Sequence, residues 1–400
     1  MEKRTILITG YYGQNNLGDD YILLSLLNSI TKIENYSITV IVETSNRIFE
    51  RFEEIVEAYS GKINILPMYS AGITGKVRKV YALIKKIDIW IVGGGGLFTN
   101  ENVLGIRHLL FYTSIASVKK IPICMYGIDI ESATDKEYIS CWKKVIKKLD
   151  FIYTRNKKSA TVLKKIGGNN VFSGSDITNS LILEEEKQDV NVILEKMQLQ
   201  KGNYIIWALA MPWSEKELQN VHFKQRYLKY IKCCSNIINN YPEYKHVLFP
   251  FFKFSDTKMF NDLVKFLDIN HVMVGQDILK LREERFLFSE AKAVVSMRFH
   301  GLQFALFNKK PCAVISYSNK INYLLEELKL MDYLTILGIR NDMFFNFEED
   351  IDEIEFKKIV DKVIYSSEDD SFSKAANYLY DLANEEEKYL IKWIENMKGN

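Results

Sequence analysis

Four hundred residues are too many for one ordinary hydrophobic core, so length alone points to two domains or three. A chain that is 47% hydrophobic and 26% charged has a folded protein's balance, which argues against disorder. A formal net charge of +2 gives no general electrostatic footprint for nucleic acid. The five cysteines (Cys124, Cys141, Cys233, Cys234, Cys312) form no CxxC pair and no secreted-scaffold spacing, so they read as reduced, mostly buried thiols.

In chain order, MEKRTILITG has too short an apolar run for a signal peptide and reads as a first strand over residues 5–9. Residues 20–33 follow as a helix with Ile22, Leu23, Leu26, Leu27 and Ile30 on one face. Strands are expected over 39–42, 63–66, 87–92, 121–126, 151–153 and 171–172, with helices such as 105–118 and 136–149 between them. Short apolar strands alternating with amphipathic helices imply an α/β fold with parallel sheets covered on both faces. The charged stretch LEEEKQDVNVILEKMQLQKGN then separates this run from a second one, NYIIWALA through HVLFPF, HVMVG, AKAVVSM and CAVISY. The expected organisation is two Rossmann-like doubly wound domains, 1–183 and 203–370, joined by a linker over 184–202. A helix over 371–400 is expected to pack back on the N-terminal domain. Two such domains would face a cleft lined by strand C-termini, where open parallel sheets bind ligands. No segment approaches the roughly 18 unbroken apolar residues of a membrane span. The expectation is a soluble, cytoplasmic protein.

Three stretches at strand ends stand out. TGYYGQNNLGDD, Thr9 to Asp20, links a strand to a helix through Gly10, Gly13 and Gly18. The free N–H groups of the helix behind it suit a phosphate or carboxylate. The spacing is neither GxGxxG nor a Walker A loop, and Asp19 and Asp20 also read as helix caps. WIVGGGGLFTN, Trp90 to Asn100, places four glycines after a buried strand, which implies close approach of a ligand or of the neighbouring domain. Thr99 and Asn100 just beyond could contact a substrate hydroxyl. SMRFHGLQFALFNKKPCAVISY sets Arg298 and His300 between a buried strand and a helix N-terminus. A cation is electrostatically awkward there unless an anion shares the site. Arg298 would grip that anion in a fork, and His300 would supply a proton, since free imidazole titrates near neutrality. The bland alternative is a structural ion pair for Arg298 and a locally satisfied His300. No metal-ligand constellation and no GxSxG elbow is found.

Read together, GYYGQNNLGDDYIL, VGGGGLF and SMRFHGLQFALFNKKPCAVISY resemble, in order and spacing, the motifs of the polysaccharide pyruvyl transferase family. Lesser features also match: Arg155 and Ser159 in DFIYTRNKKS, Asp176 in SGSDITNSL, and Pro250 with Asp256 in LFPFFKFSDTKMF. Asn156 stands where the family commonly has an acid, and Ser318 and Asn319 where it often has an acid or a small polar group.

The resemblance implies a GT-B-like architecture and transfer of the enolpyruvyl unit of phosphoenolpyruvate onto a sugar, commonly as a pyruvate ketal in cell-surface polysaccharide biosynthesis. Phosphoenolpyruvate is then a co-substrate, and no cofactor or metal is called for. His300 and Arg298 are the implied catalytic pair, with Arg155, Arg298 and Gly301 on the donor. Gly13, Asn16, Asp19, Asp20, Gly94, Gly95, Gly96, Asn100 and Asp176 fall to the acceptor or the loops. Asp19, Asp20 and Asp176 are equal candidates for the base. The implied partners are phosphoenolpyruvate and a saccharide acceptor, lipid-linked in many relatives. A GT-B glycosyltransferase with a nucleotide-sugar donor and a non-catalytic glycan-binding module are the alternatives. KVRKVYALIKK, Lys76 to Lys86, and KYLIKWIENMK, Lys388 to Lys398, read either as peripheral contacts with the inner membrane face or as solvated helices with one buried side.

Overall fold

A computed structural model describes residues 4–13, 16–34, 36–42, 62–67, 72–96, 98, 102–130, 132–180, 187–274, 281–337, 339–341, 344–346, 351–365 and 370–397. The chain divides into two compact units, Met1–Leu181 with Leu379–Asn400, and Ile182–Tyr378.

The first unit holds seven strands: β1 (Arg4–Thr9), β2 (Tyr36–Val42), β3 (Ile63–Pro67), β4 (Ile89–Gly95), β5 (Ile123–Ile128), β6 (Phe151–Thr154) and β7 (Val171–Ser173). They form one parallel sheet in the order β3-β2-β1-β4-β5-β6-β7. The helices of this run are α1 (Leu17–Ile30), α2 (Gly72–Ile84), α3 (Val103–Val118), α4 (Lys136–Ile146) and α5 (Lys157–Ile166). Each of α1, α3, α4 and α5 opens on an Asn or Asp whose side chain accepts a backbone N–H of the first turn: Asn16, Asn102, Asp135 and Asn156. Such a cap contributes about 1 kcal/mol and fixes where each helix leaves its strand. Every residue of β4 and β5 is buried, as a doubly covered parallel sheet requires. Leu7, Trp90, Met125, Trp142 and Leu163 sit in the core against one face, with Trp142 edge-on to Phe98 at 5.0 Å.

The second unit carries α6 (Lys187–Lys196), β8 (Tyr204–Ala208), α7 (Val221–Asn239), β9 (Lys245–Leu248), α8 (Lys253–Leu263), β10 (His271–Met273), α9 (Leu281–Ser289), β11 (Ala293–Ser296), α10 (Phe299–Phe307), β12 (Cys312–Ser316), α11 (Asn319–Leu328) and β13 (Leu334–Ile336). Its six-stranded sheet is parallel in the order β10-β9-β8-β11-β12-β13. A short antiparallel pair, β14 (Ile339–Asn341) and β15 (Phe344–Asn346), precedes α12 (Glu353–Tyr365) and α13 (Ser371–Asn396). All five cysteines are buried and unbridged.

Three local readings change. The stretch expected as a linker contains α6, whose Ile193 and Leu194, with Met197 and Leu199 just beyond, are buried in the second unit. The helix expected from residue 20 starts at Leu17, because the Asn16 side chain caps it. Gly93–Gly95, read as a loop, are the last residues of β4, with Gly93 paired to Tyr126 and Gly95 to Ile128.

Candidate functional site

In each sheet the chain winds outward in both directions from one strand pair, β1/β4 in the first unit and β8/β11 in the second. The carboxyl ends at such a switch point are where open α/β sheets receive ligands. The three stretches singled out in the sequence begin at three of these four strands, β1, β4 and β11.

In the first unit, Gly10–Asp20 leaves β1 and Gly93–Gly96 closes β4. The glycines are explained by packing inside the unit. A Cβ on Gly93 would run into the Tyr12 hydroxyl, and one on Gly94 into the Gly127 carbonyl of the neighbouring strand. Gly95 has φ +101°, and a Cβ there would lie 2.6 Å from Asp19 Oδ1. Gly94 and Gly95 are thus packed closely against the protein itself, while Gly96 is exposed. Asn16 Nδ2 donates to Asp19 Oδ2, and Gly13 N donates to Asp20 Oδ1 at 3.3 Å. Asp19 and Asp20 are buried in the first turn of α1, where the helix dipole favours negative charge. Tyr12 is fully buried, and its hydroxyl has no hydrogen-bond partner among the described residues. Burial, with Asp19 adding to it, drives its pKa upward, so it stays a neutral phenol. Asn100 lies outside the described residues.

Arg155, expected on the donor, is buried between two carboxylates. Its side chain is 2% exposed, and its Nε and Nη2 donate to Asp129 Oδ2 at 3.1 and 2.7 Å. Nη1 donates to Asp176 Oδ2 at 3.4 Å. Burial works against the guanidinium charge, and Asp129 and Asp176 outweigh it, raising its pKa. Asp129 Oδ1 also accepts from Asn156 and Ser159, and Asp176 Oδ1 from Thr178. The cluster ties the ends of β5, β6 and β7 together. It includes the carboxylate of Asp176, one of the candidate bases.

In the second unit, β11 ends beside β8, with Ser296 opposite Ala208. Met297 N and Arg298 N both donate to Ala208 O, at 3.0 and 3.3 Å. This turn makes Arg298 the N-cap residue of α10 and puts His300 in the helix's first turn. Asp256 of α8 holds Arg298: Nε donates to Oδ2 at 2.9 Å and Nη2 to Oδ1. Nη2 also reaches Ser255 Oγ at 3.4 Å, and Nη1 reaches the Tyr317 hydroxyl at 3.5 Å. Asp256 is wholly buried, and the Arg298 side chain is 20% exposed. Burial opposes the Arg298 charge, but Asp256 and Tyr317 overcome it and raise its pKa. The fork expected to grip an anion thus grips Asp256. Of the five N–H groups of a guanidinium, these four bonds leave one, on Nη1, with no partner among the described residues.

His300 is almost buried, edge-on to Phe299 at 5.5 Å. Gly301, expected on the donor, instead lets α10 close on the sheet: a Cβ there would meet Ser296, Ala208 and Phe251. The next strand, β12, delivers Tyr317 and then Ser318 at the N-terminus of α11. Ser318 is buried, and its Oγ has no partner among the described residues. Lys320, in the first turn of α11, lies 5.9 Å from the Phe299 ring centroid. Asp256, Tyr317 and Lys320 were not chosen as site residues from sequence. The signal for Lys320 was the one used for Arg298, a cation at a helix N-terminus directly after a buried strand.

Two all-parallel, doubly wound sheets place this chain in the GT-B-like class, and solved structures agree at the level of the fold. MnaA of S. aureus, in its UDP co-structure, superposes with TM-score 0.61 at 13% identity, covering 99% of this chain and 97% of that one. UDP-GlcNAc 2-epimerase of Methanocaldococcus jannaschii gives 0.59 at 15% identity, covering 96% and 99%. UGT2 of Phytolacca americana, complexed with UDP-2fluoro-glucose and pterostilbene, gives 0.56 at 10% identity, covering 96% and 94%. Among curated proteins none matches in sequence. The polysaccharide pyruvyl transferase family model matches residues 16–319, and the chain belongs to that family.

Proposed function

We propose that the chain transfers the enolpyruvyl unit of phosphoenolpyruvate onto a pair of sugar hydroxyls, forming a pyruvate ketal with release of phosphate. The observation that carries this reading is that Arg298 and His300 open α10 and Lys320 opens α11, directly after β11 and β12, with Lys320 Nζ 5.9 Å from the ring centroid of Phe299, the neighbour of His300. An imidazole, a guanidinium N–H and an ammonium at two helix N-termini suit a small donor bearing phosphate and carboxylate.

His300 gives a proton to C3 of the donor, which becomes the methyl group and leaves C2 electron-poor. A sugar hydroxyl oxygen bonds to C2, and its proton restores His300. The C2–O bond to phosphate breaks, and the second hydroxyl closes the ketal, its proton leaving with phosphate. The remaining Nη1 N–H of Arg298 and the Lys320 ammonium hold the donor's negative charge. No redox step and no cofactor is involved.

The structural neighbours handle UDP compounds, which favours a nucleotide-sugar donor as the second reading. Incubation with phosphoenolpyruvate or with UDP-sugars, with candidate saccharides as acceptors, separates the two by the group whose mass the acceptor gains. His300→Ala is expected to abolish acceptor-dependent phosphate release while leaving the unfolding midpoint near that of the parent. Full release by this variant refutes the assignment.

A further inference from the structure

We propose that α2 and α3 of the first unit form a docking face for an anionic lipid surface. Helix α3 exposes Leu104 (61%), Phe111 (49%) and Val118 (84%). Their seven-residue spacing puts them on one side of the helix, while Ile106, Leu109, Thr113 and Ala116 face the core. Helix α2 lies alongside α3. It exposes Tyr81, with Lys85 Nζ 4.3 Å above the ring, together with Arg78, Lys79 and Lys86.

The two stretches that form this face are one-sided in charge, with Asp88 just beyond the first and Glu137 of α4 against Arg107. The chain as a whole is balanced, with 53 Lys and Arg against 51 Asp and Glu. Residues 72–87 and 102–121 contain no carboxylate. The first stretch holds Lys76, Arg78, Lys79, Lys85 and Lys86, and the second Arg107, Lys119 and Lys120. Arg107 is paired with Glu137, and Lys119 and Lys120 are exposed beside Val118. Apolar side chains set among cations that, Arg107 apart, have no carboxylate partner among the described residues are the chemistry of an acidic membrane interface.

Other occupants fit less well. A second copy on this face would bring like charges together, and a nucleic-acid backbone would leave the Leu104–Phe111–Val118 stripe uncovered. No helix among the described residues is long and apolar enough to cross a membrane, so the contact lies along the surface. In the other basic-aromatic segment, the described residues 388–397 turn apolar side chains onto the first unit. There Tyr389 packs on Phe151, Tyr153 and Phe172, Trp393 packs on Phe151, and Leu390 and Ile394 are buried.

The test is co-sedimentation of the full chain with vesicles of phosphatidylcholine alone, or of two parts phosphatidylcholine to one part phosphatidylglycerol. Binding is expected to the acidic vesicles and not to the neutral ones. Lys119→Gln with Lys120→Gln should lower partitioning by about fivefold per lysine, and Phe111→Glu by about tenfold or more. Lys201→Gln, in the second unit, should leave partitioning unchanged. All these positions are exposed, so the variants should unfold at the parent's midpoint. Equal partitioning onto both vesicle types, none onto either, or full binding by Phe111→Glu overturns the proposal. So does size-exclusion showing that Phe111→Glu dissolves a dimer. Each readout is independent of whether the chain turns over phosphoenolpyruvate.

Discussion

Replacing Arg298 by methionine strands a carboxylate. Asp256 has no exposed surface, and the two N–H donors it loses leave it the Phe252 N–H at 2.8 Å and the Ser255 hydroxyl at 3.1 Å. Breaking a buried pair from one side costs roughly 3–5 kcal/mol. The Arg298 side chain is one-fifth exposed, so the low end, about 3 kcal/mol, applies. Asp256→Leu leaves a guanidinium that water reaches only in part and removes the acceptor for Phe252 N, again about 3 kcal/mol. The double variant leaves neither charge behind, and its cost should be close to that of one single change. The coupling energy is then at least about 2 kcal/mol. Urea unfolding of the four proteins, followed by tryptophan fluorescence, measures it. Single costs that add to within about 0.5 kcal/mol would show that the pair does not act as a unit, and the clamp reasoning would fall.

Three further outcomes follow from buried groups and helix ends. His246 accepts from Trp207 Nε1 through Nδ1 at 2.9 Å and meets Tyr241 O through Nε2 at 3.0 Å, a pairing that needs the neutral ring. Burial, reinforced by His271, lowers its pKa despite Tyr241 O and Glu243, so below about pH 6.5 the unfolded chain binds the extra proton. Stability should therefore fall as pH drops below that value, by up to about 1.4 kcal/mol per unit, and His246→Asn should flatten this slope in urea titrations. Glu386 is buried, accepts from Ser175 N through Oε1, and has no partner for Oε2 among the described residues. Burial raises its pKa well above the usual carboxylate range, with Asp176 adding to this and the Ser175 N–H opposing it. The folded state thus keeps a proton that the unfolded chain releases above about pH 4.3, and stability falls as pH rises from there toward the folded pKa. Glu386→Gln should stabilise by at least about 1 kcal/mol at pH 7.5 and by almost nothing at pH 4, read as thermal midpoints. Lys309 and Lys329 end α10 and α11 at φ +54° and +59°, where each donates its N–H back into the last turn. Glycine at either position should add about 0.5–1 kcal/mol in urea unfolding.

The architecture was legible because its signal is local. Buried runs such as YIIWA and CAVIS fix the strands, and Asn or Asp caps such as Asn16, Asp135 and Asn156 fix helix starts within a few residues. The switch-point stretches were legible for the same reason, since each follows its own strand directly. What sequence could not give is which groups neutralise each other. Arg298 meets a carboxylate 42 positions away, and Arg155 meets carboxylates 26 and 21 positions away. Nothing local distinguishes the two arginines, because each ends a strand and precedes a helix. Burial of the surroundings does: Arg155 lies between two carboxylates with 2% of its side chain exposed, and Arg298 against one with 20% exposed. The difference sets their chemistry. A guanidinium shared by two carboxylates carries a net negative cluster and repels an anionic donor, whereas one matched by a single carboxylate is neutral as a pair and keeps an N–H to offer. The positive potential for a doubly charged donor must then come from elsewhere, and the two helix N-termini with Lys320 are the groups positioned to supply it.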